Sequence, residues 1–394
     1  MKNTRIICLI MALATLIALA GCNSELPEET TEALEISTGA PVIEETDTIE
    51  TEPEETEPPF PIYEGPSAEF KFTLESVLPA NDYKRYKDFT SSAEKSYLIP
   101  ALKETMIPQG MDIWRERGWL MISGYFPSAE ISESSVLVAI DMATGAYVGE
   151  YYITNTDGTP HTSHAGGVAI TERDMYIANG STLFRIPLTE FLNAGQCGKV
   201  TIADSFVVPV RASFCNYSEG YLWVGDFQYG SSYPTAEYSH MTNRDGKMYY
   251  AWTVGYEVDL TTENGIKAEA MVEGSYATPD IVFSMTEKIQ GFAITEKTVA
   301  LSQSYGRGNG SKIYLYENPM GSEAHGQVEI NGKSVPLYFL DSKTPSKSIS
   351  APPMSEGLAA MDGKLYILFE SGADKYANGG GTDPTENVWI MTID

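Results

Sequence analysis

A strand-turn-strand unit recurs along this chain, and it limits the fold more than any other feature. Its clearest copy is Glu356-Gly357-Leu358-Ala359-Ala360, a turn at Met361-Asp362-Gly363-Lys364, then Leu365-Tyr366-Ile367-Leu368-Phe369-Glu370. Apolar runs flanking an Asp-Gly turn signal read as a β-hairpin. Four variants precede it: Gln109-Gly110-Met111 with Trp119 to Gly124, Gly166-Gly167-Val168 with Met175 to Gly180, Ala212-Ser213-Phe214 with Tyr221 to Asp226, and Gln290-Gly291-Phe292 with Thr298 to Gln303. The units start at Gly110, Gly167, Ser213, Gly291 and Gly357, so spacings run from 46 to 78 residues and each unit has room for four strands.

Third strands follow at Val136 to Ile140, Leu183 to Pro187, Tyr249 to Val258, Lys312 to Tyr316 and Val388 to Met391. Outer strands read at Ser96 to Pro100, Phe206 to Pro209 and Ile281 to Phe283, each just before a new unit. The pattern predicts an all-β, five-bladed β-propeller, with six blades as the alternative. The strand at Tyr97 would complete the last blade, close the ring and remove an open sheet edge. The long third unit has its excess in polar loops near Gly230 to Gly246, which argues against a sixth blade. Phe70 to Leu74 alternates weakly, as an edge strand would. Just after each start, Met111, Val168, Phe214, Phe292 and Leu358 form a large column, and Asp112, Ala169, Cys215, Ala293 and Ala359 a small one. That alternation suits wedge-shaped packing between blades. Asp112 breaks its column, and a buried carboxylate needs partners; it is either a structural hydrogen-bonding group, the favoured reading, or part of a site.

Three segments divide the chain. Lys2 and Arg5 precede the apolar run Ile6 to Leu19, the pattern of a signal peptide over residues 1–21 and too short for a membrane span. It ends in Leu19-Ala20-Gly21-Cys22, which resembles the lipobox of bacterial lipoproteins. The resemblance implies lipidation at Cys22, with palmitate or a similar chain, and a cell-membrane location on the extracytoplasmic face. Residues 22–65 form a Glu/Thr/Pro-rich tether, with 14 acidic residues and no lysine or arginine between Asn23 and Gly65. Such a segment cannot bury enough surface to order itself, and its like charges extend it. This acidic linker suggests a Gram-positive surface. Residues 66–394 are the propeller domain, where 40 acidic residues face 24 basic ones. That balance argues against a nucleic-acid partner. The domain reads as a monomer. Cys197 and Cys215 are its two cysteines, and they are open to a bridge or to burial as small apolar side chains.

The string Ser163-His164-Ala165-Gly166-Gly167-Val168-Ala169, with Met175 to Asn179 and Leu183 to Pro187, resembles secreted bacterial β-propellers. These lie in the broad neighbourhood of strictosidine-synthase-like, gluconolactonase-like and YVTN-type repeats. The resemblance covers about residues 95–394 and implies blades rather than a reaction. Gluconolactonase-like members hold a central divalent cation with Glu, Asn and Asp; Glu356 matches the Glu, and the other two find no match here.

Propeller topology brings the starts of inner strands and the ends of second strands to one face. The first set reads Gln109, Gly166, Ala212, Gln290, Glu356, and the second Gly124, Gly180, Asp226, Gln303, Glu370. Adjoining loops add Tyr125, His161, His164, Phe227, Tyr229, Ser304, Tyr305, Arg307, Ser371 and the run Asn378 to Gly381. The predicted ligand-binding set is Gln109, Tyr125, His164, Asp226, Gln290, Gln303, Tyr305, Arg307, Glu356 and Glu370. Aromatic faces with amides and carboxylates suit a sugar-like or peptide-like ligand, and the small residues of blade two leave an entrance. Three uses stay open. One is binding of a carbohydrate, cell-wall fragment or protein. Another is hydrolysis of the glycosidase or lactonase kind by Glu356 with Glu370 or Asp226. The third is a Ca²⁺ site of carboxylates and amide oxygens. No P-loop, zinc-ligand spacing or His-Glu-x-x-His occurs.

Overall fold

The structure is a computed structural model that describes residues 69–127 and 134–393. The expected signal peptide, lipidation site Cys22 and tether lie outside the described residues. Five antiparallel sheets form the blades. Blade one is built from Ile107–Trp114, Trp119–Tyr125, Val136–Asp141 and Tyr147–Thr154. Blade two uses Gly167–Ile170, Asp174–Asn179, Thr182–Pro187 and Asp204–Val207. Blade three uses Phe214–Ser218, Tyr221–Gly225, Ala251–Glu257 and Ile281–Met285, and blade four Ile289–Ile294, Thr298–Gln303, Ser311–Glu317 and Ser346–Ala351. Blade five takes Ser355–Met361, Lys364–Phe369 and Asn387–Thr392 from the C-terminal end, and Ala93–Leu98 from the N-terminal end. Ala93 pairs with Met391 and Lys95 with Trp389, so the first strand closes the ring. No sixth blade forms among the described residues; the surplus of the third unit goes into loops 226–250 and 258–280.

Two expectations need correction. Phe70 to Leu74 is not a strand. Its backbone instead donates from Lys71 and Phe72 to the buried Glu150 carboxylate at 3.0 and 3.1 Å. Strands added to the outer edges of blades were also not foreseen. Cys197–Thr201 adds to blade one, parallel to Tyr147–Thr154. Gly326–Ile330 and Lys333–Phe339 form a hairpin whose second strand runs parallel to Ile281–Met285 in blade three. Both additions arise between the third and fourth strands of the following blade.

The inner strands meet so closely that the central column admits little side chain. A Cβ on Gly110 would lie 2.5 Å from the Gly167 backbone, and one on Gly167 would lie 2.2 Å from the Cys215 nitrogen. Glycine at these positions is therefore a steric requirement. Two polar side chains knot the column below. Asp112 of blade one accepts the N–H groups of Ile170 in blade two, at 2.8 Å, and Tyr217 in blade three, at 3.1 Å. Asn216 of blade three donates to the carbonyls of Phe292 in blade four and Leu358 in blade five. Both are buried, and together they reach all five inner strands.

Asp112→Ala would leave the N–H groups of Ile113, Ile170 and Tyr217 without this acceptor, at about 1–3 kcal/mol each. Urea unfolding of residues 66–394 should show a loss of about 3–9 kcal/mol, and a smaller loss for Asp112→Asn, which keeps an acceptor oxygen. Gly167→Ala should yield no folded protein. An unchanged urea midpoint for Asp112→Ala would refute the knot.

Candidate functional site

At the top of the column three inner strands carry one extra residue. The ladder shifts between Pro108 and Gly110 in blade one, between Ile289 and Gly291 in blade four, and between Ser355 and Leu358 in blade five. Gln109, Gln290 and Glu356 fall within these bulges. A bulge bends the strand and re-aims its side chain, and here all three side chains line one cavity. Pro108 fits its place because it has no N–H to give to the ladder. The displaced Gly110 N–H is met by Ser123 Oγ at 3.1 Å, and that hydroxyl donates to the Ala165 carbonyl in blade two. Blades two and three have no such shift, and Gly166 and Ala212 line the cavity there instead.

The cavity has a volume of about 820 Å³. Its floor carries the paired carboxyls. Gln290 Nε2 donates to Glu356 Oε1 at 2.9 Å, and Gln109 Nε2 donates to Glu370 Oε2 at 3.0 Å. Glu356 and Glu370 are hydrogen-bonded to each other, and Tyr376 hydrogen-bonds to Glu370. Both glutamates are buried, at 4% and 8% exposure. Loss of solvent, then repulsion from Glu370, holds the Glu356 pKa well above the carboxylate range. Burial pushes Glu370 up to about 7, against the donors that favour its charge. At neutral pH the pair therefore shares about one proton.

Two aromatic walls rise from this floor. On one side Tyr125 lies against His164, with ring centres 4.4 Å apart, beside Tyr376. Burial and the nearby Glu370 charge push the Tyr125 pKa to about 12. The surrounding protein, and secondly the Lys375 ammonium, lowers that of His164. On the other side Phe227, Tyr233 and Tyr305 line the cavity. Tyr305 packs against Tyr229 with tilted rings 4.1 Å apart, and Phe227 meets Tyr233 edge-on at 5.2 Å. Gly166, Asn179 and Gly180 form the low side at blade two.

Of the ten residues expected to bind ligand, the structure brings eight to this cavity: Gln109, Tyr125, His164, Gln290, Tyr305, Arg307, Glu356 and Glu370. Asp226 and Gln303 are placed differently. The Asp226 carboxylate is buried and accepts the N–H groups of Arg211 and Trp252 at 2.7 and 3.1 Å, so it staples blade three. Gln303 bonds to the Glu287 carbonyl and the Tyr314 hydroxyl. His161 is buried against Phe184, and its Nδ1 lies 2.8 Å from Asn155 Oδ1. Ser371 accepts the Thr385 N–H. Sequence reasoning passed over Asn179, Arg211, Lys375 and Tyr376, which also line the cavity. Lys375 and Tyr376 sit on the short helix Asp374–Ala377. Their signal was position, in the loop that leaves the strand end at Glu370. Among the described residues, no group of three or more His, Cys, Asp or Glu side chains could hold a metal ion. Cys197 and Cys215 are both free.

No protein family and no curated protein matches this chain. Its resemblances are to solved structures. One is glutaminyl cyclase from Myxococcus xanthus, 10% identical over 76% of this chain and 94% of that chain, with a TM-score of 0.37. Another is CoXyl43, a GH43 β-xylosidase/α-arabinofuranosidase from a compost microbial metagenome, 10% identical over 76% and 94%, with a TM-score of 0.38. A third is the Dos1 propeller, 7% identical over 68% of this chain and 55% of that chain, with a TM-score of 0.27.

The buried carboxyls set a pH dependence of stability. Asp112 is raised to about 6, Asp226 and Glu370 to about 7, and Glu356 well above its ordinary value, each mainly by burial. Between about pH 4 and 7 these carboxyls hold protons that they release on unfolding, so their contribution to stability falls as pH rises and outweighs the opposite one from His161, His164 and His325, whose pKa values burial lowers. The melting temperature should be higher at pH 5 than at pH 7.5. The double variant Glu356→Gln/Glu370→Gln should lose less over the same interval. A wild type that gains stability from pH 5 to 7.5 contradicts this account.

Proposed function

We propose that this is a lipid-anchored, extracytoplasmic binding protein whose propeller cavity takes a carbohydrate, such as a cell-wall glycan fragment. Cys22 would carry the lipid and residues 22–65 would hold the domain off the membrane. The observation behind the reading is the set of three bulges at one height. They turn Gln109, Gln290 and Glu356 into a cavity flanked by Tyr125 and Tyr376 on one side and Phe227 and Tyr305 on the other. Aromatic rings offer flat apolar area to sugar faces, and amides and carboxyls offer donors and acceptors to hydroxyls. The floor groups are already fixed by mutual hydrogen bonds, which limits the ordering cost of binding.

A hydrolase is the second reading, favoured by the proton-sharing glutamates. Carboxyl pairs that cleave glycosides stand roughly 5–5.5 or 6.5–9.5 Å apart around the scissile bond. Glu356 and Glu370 touch through a hydrogen bond, and Asp226 is spent on backbone. A hydrolytic role would therefore use the pair as one unit that activates water.

A thermal-shift screen of the chain with neutral and acidic glycans and cell-wall fragments tests both. A ligand bound to the folded state should raise the melting temperature, and Glu356→Gln should weaken that ligand about tenfold, the worth of one hydrogen bond. Saturable binding without products supports the binding protein. Products formed by wild type and lost in Glu356→Gln assign the hydrolase. No shift with any glycan defeats the carbohydrate reading.

A further inference from the structure

We infer that the cavity's ligand carries an anionic group, a carboxylate or sulfate on a sugar ring, seated at the rim between Arg307 and Lys375. This deepens the carbohydrate reading and rests on it. Three basic side chains line the cavity: Arg211, Arg307 and Lys375. All three are exposed, and none forms an ion pair with a described residue. Lys288, nearby in the chain, is paired with Glu287 at 3.1 Å. Unpaired cations gathered at one mouth are unexpected in a domain with 40 acidic and 24 basic residues.

The placement of two of them is specific. The Arg307 guanidinium lies 5.0 Å from the centre of the Tyr376 ring, and Lys375 Nζ lies 5.1 Å from the same centre. Lys375 Nζ is also 6.0 Å from the Tyr125 ring. Arg307 comes from the loop of blade four, and its Nη1 donates to the Gly379 carbonyl of blade five at 2.8 Å. That bond holds one face of the fork and leaves other N–H groups free to point outward. Two positive charges are thus held around one ring without a surface carboxylate between them. Asp374, next to Lys375, is hydrogen-bonded by Asn378 at 2.6 Å. The buried Glu370, which feels the Lys375 charge, already accepts from Gln109 at 3.0 Å. Arg211 stands elsewhere on the rim, with its Nη1 on the Pro234 carbonyl at 2.9 Å. A planar carboxylate or a sulfate between Arg307 and Lys375 would relieve their repulsion, and its ring would lie over the aromatic wall. Hydroxyls on the same ligand would reach the acceptors of the floor.

Calorimetric titration of the full chain tests this with oligosaccharides of glucuronic or galacturonic acid, their neutral methyl esters, and sulfated counterparts. At least one acid or sulfated form should bind tenfold or more tightly than its neutral counterpart. That affinity should fall as salt rises. It should drop about tenfold in Arg307→Gln and in Lys375→Gln, while their melting temperatures stay unchanged. The carboxylate and sulfate arms distinguish which anion is preferred. Equal binding of acid and ester, or affinity that ignores both substitutions, overturns the anion site and leaves carbohydrate binding in place. Absence of binding by every glycan, neutral or acidic, overturns the carbohydrate reading and the anion site with it.

Discussion

The fold depends on five inner strands being held at contact distance around one axis. Two side chains do much of this. Asp112 ties blade one to blades two and three, and Asn216 ties blade three to blades four and five. Each trades the cost of burying a polar group for bonds to backbone groups that sheet pairing leaves free at the axis. Above this knot, glycines let backbone meet backbone. The residues immediately before two of those glycines are Gln109 and Gln290, and Glu356 stands likewise before Gly357. The cavity floor is thus set by the constriction that closes the ring, and the site inherits its rigidity from the most crowded part of the molecule.

A second regularity explains the uneven unit lengths. In every blade but the first, the segment entering the fourth strand first leaves to cover the outer edge of the preceding blade. In blade two it supplies Cys197–Thr201 to blade one, and in blade four it supplies a hairpin to blade three. In blade three it bonds Ala277 N–H to the Val207 carbonyl on blade two's outer strand. The stretch before Ala93–Leu98 does the same for blade four, where Phe89 packs in the cluster that includes Ile349 and Ala351. Outer strands with unpaired groups invite association, and these excursions occupy them.

Much of this was legible because the physics behind it is local. Hairpin signals and the large/small column mark inner and second strands, and ring closure by the strand at Tyr97 follows from the order of strands. The site face was legible from topology alone, which is why eight of ten expected residues meet at one cavity. Asp226 was misplaced because its strand end faces backbone donors, a matter of orientation that spacing does not carry. The parallel additions escaped because pairing with another blade leaves no periodic trace of its own. The bulges had a signal that went unread. A polar residue directly before glycine occurs in Gln109-Gly110, Gln290-Gly291 and Glu356-Gly357, whereas the unbulged blades read Gly166-Gly167 and Ala212-Ser213.

That difference between blades makes the site directional. Blades one, four and five contribute bulged polar residues, while blade two presents glycines and a low wall. Charge is layered along the axis as well. The floor holds carboxyls that keep a proton at neutral pH, and the rim holds cations on exposed loops. The buried pair is strongly coupled, so a change in its protonation alters the floor's acceptor strength with little movement of backbone. On the proposed reading, the rim cations would favour anionic over neutral ligands and speed their approach, an effect that salt screens. On the proposed reading, a ligand that satisfies both layers would carry hydroxyls at one end and negative charge at the other, because reversing it would set an anion against the glutamates and leave the cations unpaired.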